Sequence, residues 1–226
     1  IDVTIKPPDQ TALITNISFQ NQHNYYAYER FNKHGPMALL PLTDSEQGEP
    51  RSALIWCVPN RQAKDLLAID SSEFLVQVQQ HFGNRLGEFT RVGDRCCYPI
   101  KLIRAQEQAR SGIVIMGNAA HSLHPVAGQG FNLALRDCAR LVTIITDAFV
   151  NNYYLGKLSL LQCYTKQQKF DQQKTIVFSD RLPSLFNTHF CGLSIFRNIG
   201  LGLIDIMPLI KYPFIHHAAG LHDGAA

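Results

Sequence analysis

Clusters of like charge and long unbroken hydrophobic runs are both scarce in this chain of 226 residues. Charged residues make up only 17% of it, the formal net charge is +3, and no window interleaves basic with aromatic residues, so nucleic acid is excluded as a partner. The most apolar segment, residues 193–215, contains three charged residues and two prolines, so it is not a clean transmembrane span.

That segment nevertheless carries an apolar stripe at helical spacing. Its members are Leu193, Phe196, Ile199, Leu203, Ile206 and Ile210. Such a stripe suits either packing against the rest of the protein or lying on a membrane surface.

Cysteine usage and the start of the chain bear on its compartment. The six cysteines include no C-x-x-C pair, which favours a reduced, cytoplasmic compartment over a disulfide framework. The adjacent Cys96 and Cys97 are expected to pack, not to bridge. No signal peptide is evident, and the chain begins with Ile1 instead of methionine, which suggests a processed or excised product.

Several common signatures of functional sites are missing. Gly128-Gln129-Gly130 is followed by Leu133 at the position of the third glycine of the dinucleotide fingerprint, and there is no Walker A loop. No Ser-His-Asp set, carboxylate pair or cysteine nucleophile stands out. His121 and His124 lack a third ligand of the right type nearby, so no metal site is predicted.

An alternating apolar pattern dominates the first hundred residues. It predicts strands over residues 11–19, 25–31, 37–42 and 52–58, and one or two more over 87–102. After Pro59 the pattern becomes helical, with a helix that begins near Ser71 and ends at Gly83. This combination predicts an α+β fold, in which a helix packs on a mostly antiparallel sheet.

A different pattern begins after residue 105. Residues 113–116 predict a strand, 117–132 a glycine-rich loop, and the run that follows an amphipathic helix. The apolar stripe of this helix is Leu135, Cys138, Leu141, Val142, Ile145 and Phe149, with Arg136, Asp137 and Arg140 on the other side. Two more helices are predicted, through 166–174 and around 176–186.

The glycine-rich loop carries a specific set of residues, namely Gly117-Asn118-Ala119-Ala120-His121, Pro125, Gly128-Gln129-Gly130, Asn132 and Asp137. This set closely resembles the second flavin-binding motif of class A flavoprotein aromatic hydroxylases. Most of that family has aspartate at position 118, and asparagine there resembles the ubiquinone-pathway branch that hydroxylates 2-polyprenyl-6-methoxyphenol. Residues 29–31, 34–42, 52–57, 98–99, 179–180 and 197–201 resemble the same branch. The resemblance therefore spans the whole chain, but only the later half of the family's length.

The resemblance implies FAD as the cofactor and NAD(P)H as its reductant. The residues expected at the flavin are Gly117, Asn118, His121, Pro125, Gly128, Gln129, Gly130, Phe131 and Asn132. Pro125 would lie near the reactive edge of the ring and shield it, and the amides of residues 130–132 would face the pyrimidine oxygen. No side chain is assigned a catalytic role, because in this chemistry the cofactor reacts with oxygen while the protein positions and shields it.

The resemblance also implies a substrate and a reaction, the hydroxylation of a polyprenyl phenol by a monooxygenase of ubiquinone biosynthesis. Pro36, Leu39, Trp56 and Tyr98 are the expected substrate contacts, although Leu39 and Trp56 fit a core role equally well. One alternative is hydroxylation at another ring position or of another aromatic compound. A second is a non-enzymatic module that docks on a membrane or on a biosynthetic complex. A prenylated substrate further implies peripheral contact of a cytoplasmic protein with the inner membrane.

The family pattern suggests three parts. Residues 1–105 would form a substrate-binding sheet domain, 106–150 the later part of an FAD-binding domain, and 151–226 carboxyl-terminal helices. The family's glycine-rich loop for the adenosine diphosphate and a further Asp-Gly motif are not among these residues. We therefore expect this polypeptide alone to be inactive and to lack bound FAD.

Overall fold

The computed structural model describes residues 2–32, 35–187, 207–209 and 211–212. The predicted stripe of residues 193–210 lies almost entirely outside them. The elements in chain order are β1 (Val3–Lys6), β2 (Gln10–Phe19), β3 (Tyr28–Asn32), β4 (Gly35–Pro41), β5 (Arg51–Pro59), α1 (Asn60–Ala68), α2 (Ser71–Phe82), β6 (Phe89–Val92), β7 (Cys96–Pro99), β8 (Leu102–Ala105), β9 (Ala109–Arg110), β10 (Ile113–Val114), β11 (His121–Ser122), α3 (Gln129–Val150) and α4 (Leu158–Asn187).

These elements form two compact units. Pro8–Ile100 form the first, and the residues up to Pro7 together with Lys101–Leu185 form the second. β1 pairs with β8 in the second unit, so the structural boundary does not coincide with the one predicted at residue 105. The three functional domains suggested by the sequence remain a prediction.

The first unit is built on an antiparallel sheet with the strand order β3-β4-β5-β2-β6, and β7 also pairs with β2. The register places Trp56 opposite both Leu13 and Met37, so these three side chains share one face of the sheet. Both helices cover this face, and Ala63, Leu66, Phe74 and Val78 are buried against it. The predicted antiparallel sheet with a packed helix is confirmed, and the first hundred residues are α+β.

The two helices of this unit have well-formed ends. Asp70 accepts a hydrogen bond from the Glu73 amide (2.8 Å) at the start of α2, and Gly83 ends that helix with φ +89°. The Arg95 guanidinium donates to the carbonyl oxygens of Leu66 and Ile69, both at 2.8 Å, at the end of α1. Because the last carbonyls of a helix have no partner within it, these bonds fix where α1 ends.

The second unit combines short strands with two long helices. One small sheet has the order β1-β8-β11, and β9 pairs with β10. The two helices predicted after residue 165 are wrong: α4 is one helix of 30 residues. No glycine or proline separates Lys174 from Ile176, and the buried residues Gln172, Thr175 and Ser179 continue at helical spacing across that point. Among the described residues, no helix is both long and apolar enough to cross a membrane.

The structure corrects the predicted orientation of α3. Its buried side chains are Gln129, Leu133, Asp137, Ile144 and Ala148, so Asp137 lies on the inner face and not on the polar side. In the predicted apolar stripe, Leu135, Val142 and Phe149 are 53%, 57% and 71% exposed. The stripe is present in the sequence, but α4 packs on the other side of α3, where Gln168 and Gln172 form hydrogen bonds with Asp137.

Candidate functional site

The glycine-rich loop connects β10 to α3 in the second unit. One 3-10 turn covers Gly117–Ala119, β11 follows, and a second 3-10 turn covers Val126–Gly128 directly before α3. β11 pairs with β8, with His121 opposite Arg104, and this pairing anchors the start of the loop to the small sheet. The predicted order of strand, glycine-rich loop and helix start is confirmed, although the strand at 113–116 contracts to Ile113–Val114.

The glycines leave the amino-terminus of α3 open. Gly128 precedes the helix with φ +60°, a left-handed conformation that glycine adopts without strain, and no side chain caps the helix. A Cβ at Gly128 or Gly130 would meet no atom within 4 Å. The space beside these two glycines is therefore open, at the end of the helix where the dipole is positive.

The predicted flavin residues fall into two groups by exposure. Asn118, Pro125, Gly128 and Phe131 are exposed, with Phe131 72% accessible, and Gly117, Gly130 and Asn132 are intermediate. His121 and Gln129 are buried. The first group can face a ligand directly, whereas the two buried side chains lie beneath the loop. Contact of any of them with a cofactor remains a prediction.

A buried polar network lies below the loop. His121 Nε2 donates to Asp137 Oδ2 at 2.7 Å, and Asp137 Oδ1 accepts from the side-chain amides of Gln168 and Gln172, both at 3.0 Å. Gln172 in turn exchanges amide hydrogen bonds with Gln108 at 2.9 and 3.2 Å. Burial, and then the negative charge of Asp137, raise the pKa of the nearby Tyr164 hydroxyl. The carboxylate of Asp137 is thus held by donors from β11 and α4.

Sequence reasoning missed most of this network. Asp137 was part of the loop motif but was expected on the polar side of α3, and Gln168 and Gln172 were not singled out. The available signal was a polar stripe on α4 at helical spacing, formed by Gln168, Gln172, Thr175 and Ser179. A polar stripe normally marks a solvated face, so only the packing of α4 on α3 identifies it as buried.

The loop fits a flavin on structural grounds. No side chain caps α3, the space beside Gly128 and Gly130 is open, and the first turn of the helix contains no acidic residue. A reduced flavin carries negative charge at its pyrimidine edge, which oriented amides and a helix dipole stabilise. Phe131, exposed at the helix start, adds an apolar surface beside this position.

The expected substrate contacts lie on two different faces of the sheet. Leu39 and Trp56 are fully buried in the core, where the Trp56 ring lies 4.9 Å from that of His81. Pro36 precedes Met37, so its side chain is on the opposite face. Tyr98 pairs with Ala12, which pairs with Cys57 on that opposite face, and Tyr98 is 57% exposed. Substrate contact by these four residues remains a prediction.

Comparisons with known proteins agree with the resemblance seen in the motif. The sequence profile of the FAD binding domain family matches residues 2–176. Ubiquinone hydroxylase UbiL of Rhodospirillum rubrum is 31% identical over 211 residues, which are 93% of this chain and 48% of that protein. The 3-demethoxyubiquinol 3-hydroxylase of Escherichia coli is 24% identical over 212 residues, 94% of this chain and 53% of that protein. The chain therefore spans about half the length of these relatives.

A solved structure supports the fold. The crystal structure of pqsL, a probable FAD-dependent monooxygenase from Pseudomonas aeruginosa, superposes with a TM-score of 0.66 at 20% identity and covers 85% of this chain and 53% of that one. At this identity the likeness shows the fold alone.

Proposed function

The chain belongs to the FAD binding domain family, and from that premise we propose that it is part of an FAD-dependent monooxygenase of ubiquinone biosynthesis. The proposed reaction is hydroxylation of a polyprenyl phenol, with NAD(P)H as the reductant. The observation that carries the proposal is the start of α3, where no side chain caps the helix, the space beside Gly128 and Gly130 is open, and the preceding loop has the flavin motif.

The protein's part in this reaction is to bind, orient and shield. Bound FAD, once reduced, supplies the oxygen chemistry. The amides of residues 130–132 would stabilise negative charge on the ring, the exposed Asn118 would form hydrogen bonds with ribityl hydroxyls, and the exposed Pro125 would shield the ring. None of these roles requires a side chain that exchanges protons.

We place the substrate on the sheet face opposite α1 and α2. That face carries apolar side chains that are half-buried or exposed, namely Ile14, Ala38, Leu40, Ile55 and Tyr98. An apolar face of this kind suits a prenylated aromatic ring. Tyr98 and Pro36 therefore stay as proposed contacts, while Leu39 and Trp56 stabilise the sheet from its other side.

We assign the activity to a longer polypeptide than these 226 residues. The exposed apolar stripe of α3, with Val142 57% and Phe149 71% accessible, fits coverage by further protein. The relatives, which are about twice as long, agree with that assignment.

A peripheral membrane contact forms part of the proposal. α4 exposes Phe170 and Val177, seven residues apart and therefore on one side of the helix. Lys166, Lys169 and Lys174 are exposed on the same helix. Exposed apolar side chains beside lysines fit the surface of an anionic bilayer. Co-sedimentation with anionic liposomes should decrease when the three lysines are replaced by glutamine, and full retention of the unaltered chain in the supernatant would contradict the contact.

The ring position is the main alternative within this class. The resemblance implies hydroxylation para to the phenol hydroxyl, whereas the Escherichia coli relative is named for hydroxylation at position 3 of its own substrate. Mass spectrometry of products from a panel of polyprenyl phenols would separate the two. The second alternative, a non-enzymatic docking module, is distinguished from both hydroxylases by the flavin experiment below, because such a module would bind no FAD.

The flavin experiment compares this chain with a longer form that includes the upstream sequence. We expect the longer form to purify with stoichiometric FAD, visible as flavin absorbance, and this chain to remain colourless. Gly130→Asp should weaken FAD binding about fivefold or more, because it places a carboxylate at the open helix start, whereas Gly130→Asn of the same size is the neutral control. Equal affinities in the two variants, or a colourless longer form, would contradict the proposal.

A further inference from the structure

The hydrogen bond between His121 and Asp137 closes the proposed flavin loop. It joins residues that are 16 apart in sequence, one in β11 and the other two turns into α3. Pro125, Gly128 and Gly130 all lie within the closed segment. His121 is 1% exposed and Asp137 is not exposed at all, so water does not compete for the bond. A segment fixed at both ends loses much of the conformational freedom that it would otherwise keep.

The second oxygen of Asp137 ties the same bond to α4. Gln168 and Gln172 each donate to Oδ1 at 3.0 Å, so the carboxylate accepts three hydrogen bonds. An ionised carboxylate only accepts, and it satisfies all three donors at once. An asparagine at position 137 keeps one oxygen for the two glutamines and presents its NH₂ group to His121, so the histidine loses its acceptor at Nε2.

We propose that His121 and Asp137 are positioning residues that form a strut under the flavin loop, and that Gln168 and Gln172 of α4 belong to this strut. The pair is buried beneath the loop and acts through the segment that it closes. The significance of the loop rests on the proposed function, whereas the strut is a property of this chain without any cofactor.

A neighbouring ion pair provides a matched control. Arg136 Nε donates to Asp171 Oδ2 at 2.7 Å, and the Arg136 guanidinium also bonds Thr175 at 3.1 Å. This pair joins α3 to α4 one residue away from Asp137, but it makes no hydrogen bond to the loop. Asp171→Asn therefore weakens the contact between the two helices and leaves the strut intact.

Amide hydrogen exchange of this chain, followed by mass spectrometry, tests the strut. We expect Asp137→Asn to speed exchange in residues 122–132 about tenfold, because a buried hydrogen-bonded group loses its partners. Asp171→Asn should leave loop exchange within about twofold of the unaltered chain. If Asp171→Asn speeds loop exchange as much as Asp137→Asn, or if Asp137→Asn has no effect, the strut is overturned.

Two further measurements apply if Asp137→Asn does not fold. In the unaltered chain, nitrogen NMR should show His121 protonated on Nε2, with a proton that exchanges slowly; exchange as fast as in free imidazole would overturn the strut. Gln168→Met, which keeps the size of the side chain and removes one donor, should speed loop exchange about threefold. If Gln168→Met folds and its loop exchange is unchanged, Gln168 of α4 does not belong to the strut.

Failure of the strut and failure of the proposed function give different results. If Asp137→Asn speeds loop exchange in this chain but the longer form binds no FAD, the proposed function alone is contradicted. If the longer form binds FAD but Asp137→Asn leaves loop exchange unchanged, the strut alone is contradicted.

Discussion

At the scale of single residues, Gly35 marks the closest approach between two strands. Its φ is +122°, and a Cβ there would lie 2.0 Å from the backbone oxygen of Cys57. Because backbone cannot move aside as a flexible side chain does, Gly35→Ala should lower the free energy of unfolding by about 3 kcal/mol or more. Gly48 is the control: its φ is +75° with no atom within 4 Å of a Cβ, so Gly48→Ala should cost about 1 kcal/mol. Urea unfolding followed by the fluorescence of the single tryptophan measures both, and equal costs would contradict the clash.

Cys57 is buried in β5, the strand that Gly35 of β4 approaches. Burial, and then the negative charge of Glu29, raise the pKa of its thiol to about 12. We expect a maleimide to label the exposed Cys96 at neutral pH and to leave Cys57 unmodified until the chain unfolds, as read by peptide mass spectrometry.

The raised thiol pKa also gives a pH dependence of stability. The folded state retains the Cys57 proton to higher pH than the unfolded chain does. The protonated thiol therefore contributes fully to the free energy of unfolding below about pH 9, and this contribution is lost as the pH rises toward about 12. Between about pH 9 and about pH 12 the melting temperature should fall less steeply in Cys57→Ala than in the unaltered chain. Parallel declines in the two proteins would show that another group controls alkaline stability.

At the scale of elements, the start of α2 depends on one side chain. Asp70 accepts from the Glu73 amide and from the Ser72 hydroxyl at 2.8 and 2.6 Å, and these bonds hold the pKa of its carboxyl below the usual range. Asp70→Ala should lower the melting temperature, whereas Asp70→Asn, which keeps an acceptor for the Glu73 amide, should retain most of it. The benefit of the charge is present above the ordinary carboxyl pKa and is lost as the pH falls through the lowered value. Melting curves at neutral and acidic pH test both points, and equal melting temperatures for the two variants would exclude a cap.

Elements could be predicted where a pattern is local. The alternation in residues 11–19 and 52–58 predicted β2 and β5 closely, and Gly83 predicted the end of α2, because both signals depend on neighbours in sequence. The prediction of two helices after residue 165 was wrong, because a change of composition near Thr175 resembled a boundary although no glycine or proline lies at that point. For residues 117–132 the structure shows the predicted order of strand, loop and helix start, while the contacts of these residues with a cofactor stay a prediction.

At the scale of the whole molecule, the exposed face of α3 carries an apolar stripe that includes Leu135, Val142 and Phe149. We expect this chain to self-associate at high concentration through that apolar stripe. A double change of Val142 and Phe149 to lysine should keep it monomeric, while Thr143→Lys, on the same helix and also exposed, should not. Sedimentation velocity over a concentration series measures the difference. An unaltered chain that stays monomeric throughout would contradict the role assigned to the stripe.

The sequence by itself determined the α+β class, the antiparallel sheet and a flavin motif specific enough to indicate a family. These depend on periodicity and on spacing over short stretches, and both are present in the order of residues. Only the tertiary structure decided which side of α3 is buried and which face of the sheet α1 and α2 cover. It alone brought Asp137 to Gln168 and Gln172, 31 and 35 residues further along the chain. Periodicity shows that a helix or strand has two unlike faces, but the partner that each face meets is set by packing between distant segments.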